Sequence, residues 1–105
     1  MNKFKLEKLL IWQKTMDFGE EIDDLAEAFP DKEKDDLSFQ TRRAADSIAL
    51  NISEGSIGHR DPEQKKFIGY AIRSLAEVVT CFYKAKRRNY LDITQFEILY
   101  ENSFE

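Results

Sequence analysis

The chain reads as all-α, an antiparallel up-down-up-down four-helix bundle, on three observations. Apolar residues recur three and four positions apart through four successive stretches. Gly and Pro number only 4 and 2 in 105 residues, too few to break the chain into short pieces. No sustained apolar–polar alternation occurs, and there is no Asn-Gly or Asp-Gly hairpin turn.

The first helix is expected from about Leu6 to Phe29, with the stripe Ile11, Phe18, Ile22, Leu25 and Phe29, and Pro30 stops it. Asp31 to Asp36 form a charged connection in which Asp35 or Asp36 can cap the next helix. The second helix sets Leu37, Thr41, Ala44, Ile48 and Ile52 on one face and ends near Gly55 or Gly58. The third has the clearest start. Asp61 suits the N-cap, Pro62 the first helical position, and Gln64 completes a capping box. It runs to about Asn89 on the stripe Ile68, Ala71, Leu75, Val78, Phe82 and Ala85. Asp92-Ile93-Thr94-Gln95 repeats the capping box for a fourth helix, with Leu91 and Phe96 placed for a hydrophobic staple. That helix meets no stop signal before Glu105. Long helices on short connections pack as antiparallel neighbours.

Length limits the chain to a single domain, residues 1–105. Hydrophobic residues at 42% and charged residues at 34% fit a soluble globular protein. No apolar run approaches the roughly 18 residues of a membrane span, so no membrane partner is expected. The opening Met1-Asn2-Lys3-Phe4-Lys5-Leu6-Glu7 lacks a signal-peptide core. One cysteine, Cys81, allows neither an internal disulfide nor a cysteine zinc site. A cytoplasmic address follows as the expectation. The net charge of −4 is unevenly spread: residues 1–36 carry 6 basic and 11 acidic side chains, residues 37–91 carry 10 and 5, and residues 92–105 carry none and 4. A basic middle segment either meets an anionic partner or pairs with acidic helices of the same assembly.

Three surfaces stand out beside the core stripes. On the second helix Gln40, Arg43, Ser47, Asn51 and Glu54 share one strip, suited to hydrogen bonds with another helix or simply solvated. Ser74 or Glu77 of the third helix, or an adjoining subunit, would supply the partners. Ile72, Ala76, Val79 and Tyr83 form a second apolar line on the third helix, and Leu9, Trp12 and Met16 one on the first. A wide core stripe absorbs part of that area, and a neighbouring subunit covers the rest, so Trp12 and Val79 are expected at an interface. The outward side of the third helix carries Lys66, Arg73, Glu77, Lys84 and Arg88, with Lys86 and Arg87 beside its end. Lys66, Lys84, Lys86, Arg87 and Arg88, with Arg42 of the second helix, are the candidate nucleic-acid contacts; an ordinary solvated face with an Arg73–Glu77 pair is the plainer alternative.

Catalytic patterns are missing. The lone histidine, His59, belongs to no Glu-x-x-His motif, Cys81 has no histidine near it in sequence, and Gly55-Ser56-Ile57-Gly58 lacks the lysine and spacing of a phosphate loop. No enzyme, metal or cofactor is expected.

Several segments together resemble one family. They are Leu9-x-x-Trp12-Gln13-Lys14, Phe29-Pro30, the block from Gln40 through Arg42-Arg43-Ala44-Ala45, Ser47-Ile48 and Asn51-Ile52 to Glu54-Gly55, and Ala71-x-x-Ser74-Leu75-x-Glu77. The chain resembles the bacterial four-helix bundle family of proteins encoded in intervening sequences of 23S ribosomal RNA genes, to which the accessory variability protein of diversity-generating retroelements is related. The resemblance implies a ring-like homopentamer and, for the retroelement branch, binding of nucleic acid and a reverse transcriptase. Ala49 stands where the family commonly has proline, so a kink there is not expected, and the net acidity departs from the basic retroelement branch. The first reading is a non-enzymatic oligomeric scaffold contacting RNA or DNA, with ribosomal RNA among the candidates, through the faces of the second and third helices. The alternative is a scaffold or accessory subunit that binds protein alone.

Overall fold

The computed structural model describes residues 10–56 and 61–102. Four α-helices follow in order: α1 Leu10–Glu27, α2 Leu37–Ser56, α3 Asp61–Arg87 and α4 Ile93–Asn102, with a 3-10 turn at Asp31–Glu33. Among the described residues there is no strand. The expected all-α, four-helix architecture is therefore present.

Helix boundaries follow local chemistry. α1 stops two residues before Phe29, because Ala28 and Phe29 donate to Leu25 and Ala26 in tight turns ahead of Pro30. The start placed near Leu6 lies outside the described residues, as do Gly58 and His59. Asp36 directly precedes α2, but its carboxylate accepts from the Gln40 side chain at 2.7 Å, while its carbonyl takes the Gln40 N–H at 2.9 Å. α2 runs unbroken through Ala49. α3 ends before Asn89, which adopts φ 64°. Tyr90 N–H reaches back to Ala85 O at 2.8 Å and Asn89 N–H to Lys86 O at 3.0 Å, a Schellman closure. The capping box of α4 forms as its sequence suggests: Gln95 N–H donates to Asp92 Oδ1 at 2.7 Å, and Asp92 N–H to Gln95 Oε1 at 3.1 Å. Both staple residues, Leu91 and Phe96, are buried.

α2 is the central helix. Pairings with α1 descend as α2 ascends, from Ser38 donating to Ala26 O to Arg42 against Asp23. The same holds for α3, from Ser47 beside Ser74 to Gly55 beside Phe67. In these contacts α2 runs opposite to both α1 and α3. The core gathers Ile22, Phe29, Leu37, Ala44, Ile48, Val78, Phe82, Leu91, Phe96 and Leu99. Thr41 is fully buried and returns its hydroxyl to Leu37 O, which satisfies the donor within its own helix.

Two residues placed on core stripes are not in the core. Ile11 and Ile68 are 56% and 48% exposed. Among the described residues α1 packs its backbone only on α2, and α4 only on α3. Ile11 and Ile68 line an apolar groove between α1 and α3.

Candidate functional site

The basic residues of α3 fall into two groups. Near its start, Lys66 Nζ lies 5.9 Å from the ring centre of Phe67 and 5.8 Å from that of Tyr70. Arg73 sits over Tyr70 at 5.6 Å, not against Glu77 as its i, i+4 spacing suggests. Phe67 and Tyr70 meet edge to face at 5.7 Å. Spacings of one, three and three residues along α3 thus build an aromatic–cation cluster. Cation–π contact holds such side chains while leaving their charge available.

Toward its end, Lys84 and Arg87 are exposed, and Lys86 is half-buried over Phe96 at 4.8 Å. Arg88, 40% exposed at its side chain, is bound within the chain: its Nη1 donates to Glu33 Oε2 at 2.8 Å. Arg42 likewise pairs inside the fold. Its Nη2 meets Glu27 Oε2, and its Nε lies 2.9 Å from Asp23 Oδ1 but off the hydrogen-bond direction. Of the six candidate contacts, Arg42 and Arg88 therefore hold intramolecular carboxylates, while Lys66, Lys84 and Arg87 face solvent.

The acidic counterpart sits elsewhere. α1 carries six carboxylates and one lysine, whereas α3 carries six basic and three acidic residues, and the two helices lie on α2 without packing on each other. The acidic and basic sets therefore lie largely on different helices.

The strip of α2 is only partly joined to α3. Ser74 Oγ donates to Ser47 Oγ at 2.8 Å, and Asn51 Nδ2 donates back to Ser47 O at 2.8 Å and Oγ at 3.0 Å. Gln40 and Arg43 are exposed beside Ala76, Glu77, Thr80 and Lys84, rimming a polar cleft between α2 and α3. Glu54 is exposed at the far end of the strip. Cys81 lies beneath that cleft, 5% exposed, and burial pushes its thiol above the ordinary value, which suits packing and not nucleophilic chemistry. Trp12, half-buried, and Met16 line an apolar cleft with Ala45, Ala49 and Leu50, on a different face from the groove holding Ile11. Val79 is half-buried on α3.

One cluster was invisible to motif reading. Glu33, in the 3-10 turn and 5% exposed, accepts Tyr90 Oη at 2.6 Å as well as Arg88. The tyrosine hydrogen bond first, then the Arg88 hydrogen bond and charge, draw its carboxyl below the ordinary glutamate value despite burial. Tyr90 is correspondingly raised. The pair lies 57 positions apart in the chain, so no local signal announces it.

Among the described residues no group of three or more His, Cys, Asp or Glu could hold a metal ion, and no helix is long and apolar enough to cross a membrane. Helix order, a polar-stitched central helix and a basic third helix define a small all-α four-helix bundle. Residues 7–105 match the family described as 23S rRNA-intervening sequence protein, and the chain belongs to that family. No curated protein matches it.

Proposed function

We propose that this protein is a non-enzymatic, cytoplasmic scaffold that self-assembles, as a homopentamer, and contacts RNA or DNA through α3. The observation that carries the reading is the exposure of Lys66, Lys84 and Arg87 on α3, a helix with six basic and three acidic residues. Phosphate contacts of this kind are sequence-independent and salt-sensitive, and repetition around an oligomer multiplies them. The apolar cleft of Trp12, Met16 and Leu50 supports self-association, since a Leu50 that is 67% exposed gains from cover.

The test is a titration of labelled structured RNA and duplex DNA at several salt concentrations, on protein of known mass in solution. Modest binding that weakens with salt is expected. Lys66→Glu, Lys84→Glu and Arg87→Glu together should abolish it without changing the mass, and Arg42→Ala should leave it intact. No binding at low salt overturns the nucleic-acid reading. A protein-only scaffold is then favoured, in which acidic α1 of one subunit meets basic α3 of the next.

A further inference from the structure

The polar cleft between α2 and α3 holds about 430 Å³, a size that suits a small molecule. Two cations border it, Arg43 from α2 and Lys84 from α3, and both are exposed. They differ from the basic residues that the fold already employs. Arg42 and Arg88 are held by carboxylates of other elements, whereas among the described residues neither Arg43 nor Lys84 is ion-paired. The opposite directions of the two helices order the cleft. Ser47 meets Ser74, so Arg43, four positions before Ser47, lies level with Val78, four positions beyond Ser74. Gln40 is likewise level with Cys81. Lys84 is six positions past Val78, about 9 Å along the helix axis, a gap that two long side chains close. Gln40 and Thr80 fall within that interval, and Glu77 falls on the other side of Arg43. Thr80 donates its hydroxyl proton to Ala76 O at 2.9 Å, so Gln40 is the neutral donor: one amide hydrogen goes to Asp36 Oδ1 at 2.7 Å, and the second is left over.

We propose that this cleft is a binding site for a phosphate monoester, gripped by Arg43 and Lys84 from two helices with the Gln40 amide between them. The guanidinium fork matches two phosphate oxygens, and the lysine adds a point charge. Two cations match the nearly doubly charged form that a phosphate monoester takes at neutral pH. A carboxylate or a backbone phosphodiester, with a single charge, leaves one cation unmatched. The site is therefore distinct from the exposed α3 contacts assigned above to a nucleic-acid backbone, although Lys84 belongs to both. Glu77, beyond Arg43, suits a hydrogen-bond donor on the rest of the ligand, such as a sugar hydroxyl. A sugar phosphate and the 5′-phosphate at the end of a nucleic-acid strand share this chemistry.

Calorimetric titration of the full chain with inorganic phosphate and with ribose 5-phosphate, at constant ionic strength, tests this. Saturable binding of one ligand per chain is expected, with no binding of ribose. Arg43→Gln and Lys84→Gln should each weaken it by about tenfold, and Arg43→Lys should weaken it less. Lys66→Gln and Arg87→Gln, exposed on α3 but outside the cleft, should leave it unchanged. All four positions are exposed, so each variant should keep the Tm of the wild type. Absence of saturation by about 10 mM of either phosphate overturns the proposal. So does an equal loss in Lys66→Gln, which would reduce the effect to general surface charge. Competition then separates the two sources. A 5′-phosphorylated oligonucleotide that displaces ribose 5-phosphate, where the same strand without its phosphate does not, makes a strand end the ligand. Failure of both strands makes it a small sugar phosphate.

Discussion

Tyr90 Oη lies 2.6 Å from Glu33 Oε2, and through this bond the corner between α3 and α4 is fastened to the turn between α1 and α2. Arg88 reinforces the same oxygen at 2.8 Å. Two connections of the bundle meet at one end, and the carboxylate of one accepts both donors of the other. An acceptor buried with two donors is costly to lose, since both donors are then left wanting.

This arrangement has a pH signature. Because the folded carboxyl sits below its unfolded value, the folded protein binds fewer protons than the unfolded chain. The resulting stability is present above about pH 4.3, the ordinary glutamate value, and is lost as pH falls through the folded value. Thermal melts of the wild type and Glu33→Gln should differ most at neutral pH and converge on acidification. A constant offset across that range would contradict the assignment. Tyr90→Phe removes the leading cause of the depression and should move the acid transition to higher pH.

Asn89 closes α3 at φ 64°, a conformation that glycine enters freely and asparagine tolerates. Asn89→Gly should be neutral or stabilising, and Asn89→Val should cost about 1–2 kcal/mol, the penalty of the left-handed region. Urea unfolding of the two variants decides it.

At Gly55 α2 comes close to α3. A Cβ there would stand 3.0 Å from Phe67 Cβ, an atom too close to its own backbone to swing aside. Gly55→Ala should therefore destabilise by about 1–3 kcal/mol, as overpacking does, although alanine ordinarily favours a helix. A rise in Tm would show that the two helices can part at this point.

The Ser47–Ser74 hydroxyl bond joins α2 to α3 below the polar cleft. Ser74 is 6% exposed, and Ser74→Ala should cost about 1 kcal/mol, the net worth of a hydrogen bond of this kind. Arg73→Ala removes only contact with Tyr70 on an exposed face and should cost less. Equal losses in chemical denaturation would place the stabilisation elsewhere.

Much of this fold was legible before any coordinates. The capping box at Asp92 and Gln95 formed because both partners lie within one turn, where local geometry decides alone. Pro30 and the stripes of α2 and α3 likewise act over a few residues. What periodicity supplies is the direction a side chain takes, not what lies opposite. Ile11 and Ile68 have core spacing yet border an open groove, because burial depends on which helices pack opposite them. The basic residues show the same division. Composition placed ten cations in the middle segment, but only packing separated Arg42 and Arg88, held by carboxylates of other elements, from Lys66, Lys84 and Arg87. Glu33 is the extreme case: one acid among several in a charged connection, it becomes a buried acceptor through partners 55 and 57 positions away. Helix formation is a short-range balance of caps, turns and spacing, whereas the pairing of charges and the covering of apolar faces are set by distances that exist only once the helices have packed.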